Sequence, residues 1–251
     1  MSDTERDEAA PLSAEDAGAA SEDAPKQPRK KNKNKKWMVL GIVVVAVAAL
    51  GFGFNAWHST PGFCSAICHT PMDAYTKTFI DGNVDKYGNE LTSDEAVGMM
   101  AYSHGKSGAA NCLSCHVPTL GEQMSEGAAW IAGDYEVAGV NKQGDSILET
   151  RTYDQLVAAR GLDSGDQFCL NSTCHANADG TPMTRDDLVK ATASLADERN
   201  PHAQPHGATK CGDCHKGHEQ SANTCSKCHT DAPIPQGWLT YSQAQEKEQL
   251  A

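Results

Sequence analysis

The hydrophobic pattern of the chain has one long feature and several short ones. Residues 1–25 show no apolar periodicity and are rich in Ala, Asp, Glu and Ser, which predicts a disordered tail. Residues 26–36, Lys-Gln-Pro-Arg-Lys-Lys-Asn-Lys-Asn-Lys-Lys, are a basic block. Trp37 to Trp57 is then an uncharged, apolar run. A helix needs ~20 such residues to cross a bilayer core, and a tryptophan stands at each end, where interfaces favour it. The basic block on one flank predicts an N-terminus in the cytoplasm and everything after Trp57 outside. A cleaved signal peptide is the alternative, but the run exceeds the usual apolar region of ~7–15 residues, so an uncleaved anchor over 37–57 is expected.

Beyond the anchor the pattern breaks into short helical signals. Ser93–His104 opens with a capping residue and acids, then turns apolar. Glu122–Ile131 is a second candidate, and Ser146–Arg160, stopping at Gly161, a third. Arg185–Glu198 is a fourth, with Thr184 as cap and Asp187 in the first turn. Strand alternation is nearly absent, segment 176–210 reads as a connection, and 232–251 as a loosely held tail. Aromatic residues make up 6% of the chain, too few for a conventional core over 58–231. The expected fold is therefore mainly helical and irregular, with little or no sheet, built around something other than side chains.

Charge narrows the partners. The net is −12, and since residues 1–36 hold eight bases and eight acids, all of it falls after the apolar segment. An acidic soluble part lacks the basic footprint that nucleic acid needs.

The ten cysteines say what fills the core. All fall in units that end Cys-His. Three are regular C-x-x-C-H: Cys112/Cys115/His116, Cys211/Cys214/His215 and Cys225/Cys228/His229. Two are stretched: Cys64/Cys68/His69 with three residues between the cysteines, and Cys169/Cys174/His175 with four. C-x-x-C-H is the attachment signature of c-type haem: the thiols form thioethers to the porphyrin and the histidine ligates the iron. Zinc knuckles and disulfide scaffolds do not require a histidine directly after the second cysteine, and here it follows in all five. About five covalently held haems are expected, wrapped by short helices and loops, with the last two close together because nine residues separate His215 from Cys225. Haem c is attached outside the cytoplasmic membrane, in agreement with the predicted orientation. Five histidines remain for the opposite faces of the irons: His58, His104, His202, His206 and His218. His58, hard against the anchor, is the one expected to be a surface residue. Met99 and Met100 are expected to pack rather than ligate. Lys77, Asp81, Asp85 and Lys86 read as a solvated loop, with the lining of a quinol pocket as the alternative.

These residues carry two resemblances. The anchor, the motif just outside it and the run Ser103-His104 … Cys112-Leu-Ser-Cys115-His116-Val117-Pro118 resemble the NapC/NirT/NrfH family of membrane-anchored multihaem quinol dehydrogenases, over roughly 37–140. The resemblance implies a first haem ligated by a methionine just after its motif, here Met72, three residues after His69 rather than two. It also implies a quinol-site aspartate, here Asp134; the lysine of close relatives two turns earlier is replaced by Gly127. By the same resemblance His104 would cap the third haem and His218 the second. The C-terminal part, 141–231, with His202, His206 and His218 around the last two motifs, resembles the tetrahaem cytochrome domain of fumarate-reductase-type flavoproteins, where such histidines are distal ligands. The two resemblances assign His218 to different irons.

The function these features imply is electron transfer in anaerobic respiration, from menaquinol in the cytoplasmic membrane, through the haems, to an extracytoplasmic reductase, with a flavoprotein of the fumarate-reductase type preferred. Quinol dehydrogenase activity would accompany it. The alternatives are a nitrite, nitrate or N- or S-oxide reductase as the partner, a conduit with no quinol contact, and a haem enzyme that reduces nitrite directly. The spare histidines nearly saturate the irons, which counts against the last.

Overall fold

The computed structural model describes residues 33–67, 69–148, 151–195 and 199–249. The expected disordered tail, Cys68, the side chain of His69 and the far end of the fourth helical signal lie outside the described residues. The chain divides into two units, Met1–Val47 and Ala48–Ala251. Helix α1 (Lys33–His58) begins in the first and ends in the second. It is apolar from Trp37 onward, keeps Leu40, Val43, Val47 and Leu50 half or more exposed, and is long and apolar enough to cross a membrane.

The second unit is a succession of short helices joined by turns. It contains α2 (Pro61–Ile67), α3 (His69–Ile80), α4 (Ser93–Ala96), α5 (Met100–Lys106), α6 (Cys112–Cys115) and α7 (Leu120–Ala132). After a hairpin of β1 (Val137–Val140) and β2 (Ser146–Leu148) come α8 (Tyr153–Ala159), α9 (Gly165–Cys169), α10 (Arg185–Ala191) and α11 (Cys211–Cys214). The chain closes with β3 (Ala222–Asn223), β4 (Leu239–Thr240) and α12 (Tyr241–Gln249). The two sheets have two strands each, β1–β2 antiparallel and β3–β4 parallel. The largest cluster of buried apolar side chains is small: Leu91, Ala96, Met99 and Tyr102.

Caps explain most of the helix starts. Thr92, Thr119, Thr152 and Thr184 each accept a backbone N–H three residues on and receive the reciprocal side chain of Glu95, Glu122, Gln155 and Asp187, the reciprocal box that satisfies two otherwise orphaned donors. The third and fourth of the four helical signals run shorter than expected, and the first is divided. Ser93–His104 breaks between α4 and α5 because its backbone turns outward: Gly98 O accepts from Ser221 N, Met100 N donates to Lys216 O and Ala101 N to Gly217 O. Ser146–Arg160 is a correction. Its first three residues form β2, folded back by a turn in which Asn141 Oδ1 accepts from Gln143 N and Asp145 N, and the helix starts only at Tyr153. Residues 232–249, expected as a loose tail, are fastened: Leu239 N donates to Ser221 O, Tyr241 N to Ser226 Oγ at 2.8 Å, and Ala232 is buried.

Candidate functional site

Four of the motifs share one backbone closure. In the three regular copies the histidine N–H donates to the carbonyl of the first cysteine at 2.9 Å: His116 to Cys112, His215 to Cys211 and His229 to Cys225. The stretched copy reaches the same closure, His175 N to Cys169 O at 3.2 Å. Its extra length folds on Asn171, whose Oδ1 accepts from Thr173 N and Cys174 N, and Ser172 and Thr173 bulge into solvent.

Four motif histidines each face a second imidazole. His116 faces His218 with ring centroids 6.2 Å apart, His175 faces His104 at 6.1 Å, His215 faces His202 at 6.3 Å and His229 faces His206 at 6.1 Å. With a metal–nitrogen bond of about 2 Å and about 1 Å from nitrogen to ring centre, two imidazoles on opposite sides of one metal ion stand about 6 Å apart. The gaps fit an iron, and the residues therefore fit bis-imidazole haem.

Three of the facing rings are held by their Nδ1. Thr78 Oγ1 gives its only proton to the Tyr75 carbonyl at 2.6 Å, so it accepts from His218 Nδ1–H, also at 2.6 Å. Thr192 Oγ1 lies 2.6 Å from the Leu188 carbonyl and 3.0 Å from both Asn200 Oδ1 and His202 Nδ1. Its proton goes to an oxygen, and it too accepts from the ring. His104 Nδ1 donates to the Met100 carbonyl at 2.8 Å. Each bond fixes the tautomer and leaves Nε2 with a free lone pair, as metal-ligating histidines require. Desolvation keeps His218 and His215 neutral: it lowers His218 to about 3, with His116 and Lys86 adding to it, and His215 to about 4, with His202 next in effect.

Comparison with known proteins agrees with this geometry. Residues 157–230 match the cytochrome c3 family model. Over 217 residues, 84% of this chain and 91% of the relative, the sequence is 45% identical to the cytochrome c-type protein Cgr1 of Eggerthella lenta. The chain belongs to the multihaem c-type cytochromes. Haem c is thus its covalently bound cofactor and electron transfer its function. No solved structure matches it significantly.

In this cytochrome the thiols of successive motifs meet. Cys64 and Cys112 are hydrogen-bonded, which raises the first and lowers the second to about 7. Cys169 and Cys211 are likewise bonded, the first raised and the second lowered to about 6. Cys115 feels the charge of Cys174, and Cys225 that of Cys214. Cys214 Sγ also lies 3.1 Å from Thr224 Oγ1, beside Cys225. Thioether formation removes the titration and keeps the neighbourhood: motif one lies beside two, three beside four, and four beside five. Tyr153 sits at the third of these junctions, its hydroxyl donating to Gly165 O at 2.7 Å and lying 3.5 Å from Cys169 Sγ.

The remaining expected residues are placed as follows. Met72 follows His69 by three positions on α3, and positions three apart share one helix face. Asp134 is exposed just past the left-handed Gly133 that ends α7, and nothing lies within 4 Å of a side chain built at Gly127. His58 stacks on Phe54 and meets Phe63 edge-on. Met99 is fully buried in the Leu91–Tyr102 cluster. Three of the four loop residues read as a quinol pocket or a solvated loop are committed elsewhere. Lys77 pairs with Asp145 at 2.7 Å and Lys86 with Glu219 at 3.5 Å. Asp85 is buried, accepting from Tyr87 N, Asn89 N and Asn89 Nδ2. Sequence reading missed Thr78, Thr192 and Tyr153; no local signal marks them, because their partners are brought together only by the fold.

Proposed function

We propose that this cytochrome is a membrane-anchored carrier with five haems c that takes electrons from menaquinol and delivers them to an extracytoplasmic reductase, a flavoprotein of the fumarate-reductase type. The observation that carries the reading is the set of four facing imidazole pairs. Haem c supplies one-electron ferric–ferrous exchange, while the protein sets its ligands, spacing and surroundings. Cys64 and Cys68, Cys112 and Cys115, Cys169 and Cys174, Cys211 and Cys214, and Cys225 and Cys228 hold the five porphyrins. His116 with His218, His175 with His104, His215 with His202, and His229 with His206 would ligate the irons of four. Two histidines at each of these four irons would leave a substrate no place to bind there, which favours a carrier over a nitrite-reducing enzyme. At the first haem the ligand would be His69 or Met72. The thiol neighbourhoods favour a path in motif order, entering beside the anchor at Cys64 and leaving at His229.

The apolar helix with its basic N-terminal flank supports a haem domain outside the membrane. Asp134, exposed to solvent, is the group that takes a proton as quinol is oxidised near the first haem. The resemblance of the C-terminal part to flavoprotein-linked tetrahaem domains supports the choice of partner. The test is reduction of the haems by a menaquinol analogue in membranes holding the full chain. Reduction in the wild type and slowing in Asp134→Asn are expected. Haems that respond to dithionite and ignore quinol would remove the quinol role. Affinity purification of the tagged chain should bring down a flavoprotein; an N- or S-oxide reductase in its place would reassign the partner.

A further inference from the structure

The four imidazole pairs are not alike. Three are near-parallel, with ring planes 14° apart for His202/His215, 16° for His206/His229 and 27° for His116/His218. The fourth, His104/His175, is crossed at 81°. The crossing is built in. His104 lies on α5 and its Nδ1–H is bound to the Met100 carbonyl one turn back, at 2.8 Å. That acceptor belongs to the helix backbone, so the ring cannot rotate into line without leaving a donor unpaired. The ligands of the other two held pairs hang on side-chain hydroxyls, Thr78 and Thr192, in different orientations.

We propose that the centre held by His104 and His175 is electronically distinct and is the most readily reduced of the four bis-histidine centres. This rests on the axial-ligand reading above. An imidazole donates π density to the metal d orbital perpendicular to its ring. Parallel rings raise the same orbital, and the ferric ion, with its single hole placed there, is stabilised. Crossed rings raise two different orbitals, leave them nearly equal in energy, and withdraw that stabilisation. The ferrous form gains in proportion. The same near-degeneracy gives the ferric ion one very large g value in place of an ordinary rhombic spectrum. Midway along the motif order, such a centre collects electrons arriving from either side.

The experiment is low-temperature electron paramagnetic resonance on the oxidised full-length holoprotein, followed through a dithionite titration. One large-g signal is expected, integrating to one spin per chain. It should fade before the rhombic signals, its ferric-to-ferrous ratio about tenfold below theirs at a common potential, which for one electron is about 59 mV. It should be absent from His104→Met. It should survive in His202→Met, His206→Met and His218→Met, which carry the test if His104→Met does not accumulate. Only rhombic low-spin signals, a large-g signal that outlasts His104→Met or vanishes with one of the other three, or one that fades last would each overturn the proposal while leaving the ligands in place. High-spin spectra throughout would instead overturn the ligand reading beneath it.

Discussion

Thr78 shows how much of the site depends on residues that bear no chemistry of their own. It is fully buried, its hydroxyl proton is committed to Tyr75 O, and its lone pair receives His218 Nδ1–H. A hydrogen bond at this nitrogen makes the imidazole a stronger donor and favours ferric iron. Partners of this kind are typically worth 10–100-fold in metal affinity or activity. Thr78→Val keeps the shape and deletes the acceptor. We expect the haem of motif two to become easier to reduce by about tenfold in its ferric-to-ferrous ratio, roughly 59 mV, while Thr78→Ser stays near wild type; spectroelectrochemical titration of the two variants measures this. At this scale the attachment residues were legible, because five Cys-His endings need no fold to be recognised. The assignment of distal histidines was not. His218 lies three residues after His215, yet its ring faces His116, and only the packing of Thr78 against it fixes that choice.

Among the elements, those with a local signature were read well. Thr184 with Asp187, and the stop at Gly161, are legible because a cap is a contact between neighbours in sequence. Thr152→Ala removes such a box from α8, and should destabilise the holoprotein by about 1 kcal/mol, seen as a lower denaturation midpoint with unchanged haem content. The failures came where distant segments compete for the backbone. Gly98 ended the first helical signal because Ser221 and Lys216 claim its neighbourhood. The β1–β2 hairpin was missed although Gly144, at φ +88, and Asn141 mark its turn, since Ser-Ile-Leu is too short to show alternation. A sharper case is Gly212 inside motif four. A Cβ there would stand 2.6 Å from Cβ and Cγ of Tyr153, the residue whose hydroxyl lies beside Cys169. Gly212→Ala forces Tyr153 away, an overpacking cost of about 1–3 kcal/mol. We expect chains with incomplete haem attachment at motifs three and four, counted as masses one or two haems short of wild type.

For the whole molecule the decisive quantity is how little the polypeptide buries. Among the described residues ten hydrophobic side chains are buried, several of them alanines, and most helices around the motifs run from four to seven residues, below the length at which isolated helices persist. The porphyrins supply the missing apolar bulk. Chain produced without haem attachment should therefore show little far-ultraviolet helix signal from its exported part and no cooperative thermal transition, whereas the holoprotein should melt cooperatively. The same dependence orders the electron path. If the thiol neighbourhoods Cys64–Cys112, Cys169–Cys211 and Cys214–Cys225 mark porphyrin edges in contact, motif three is the expected bridge between the flanking pairs. The other link between them is the segment from His215 to His218, whose ring faces His116 of motif two, and electron transfer falls steeply with the gap it must cross. A Cys169→Ala/Cys174→Ala chain, shown by mass to carry four haems, is then expected to split into two compartments. A quinol analogue should rapidly reduce only the haems of motifs one and two, half of those present, while dithionite reduces all four. Rapid and complete reduction by quinol would mean that motifs two and four exchange electrons directly, and that the path branches instead of running in the order of the chain.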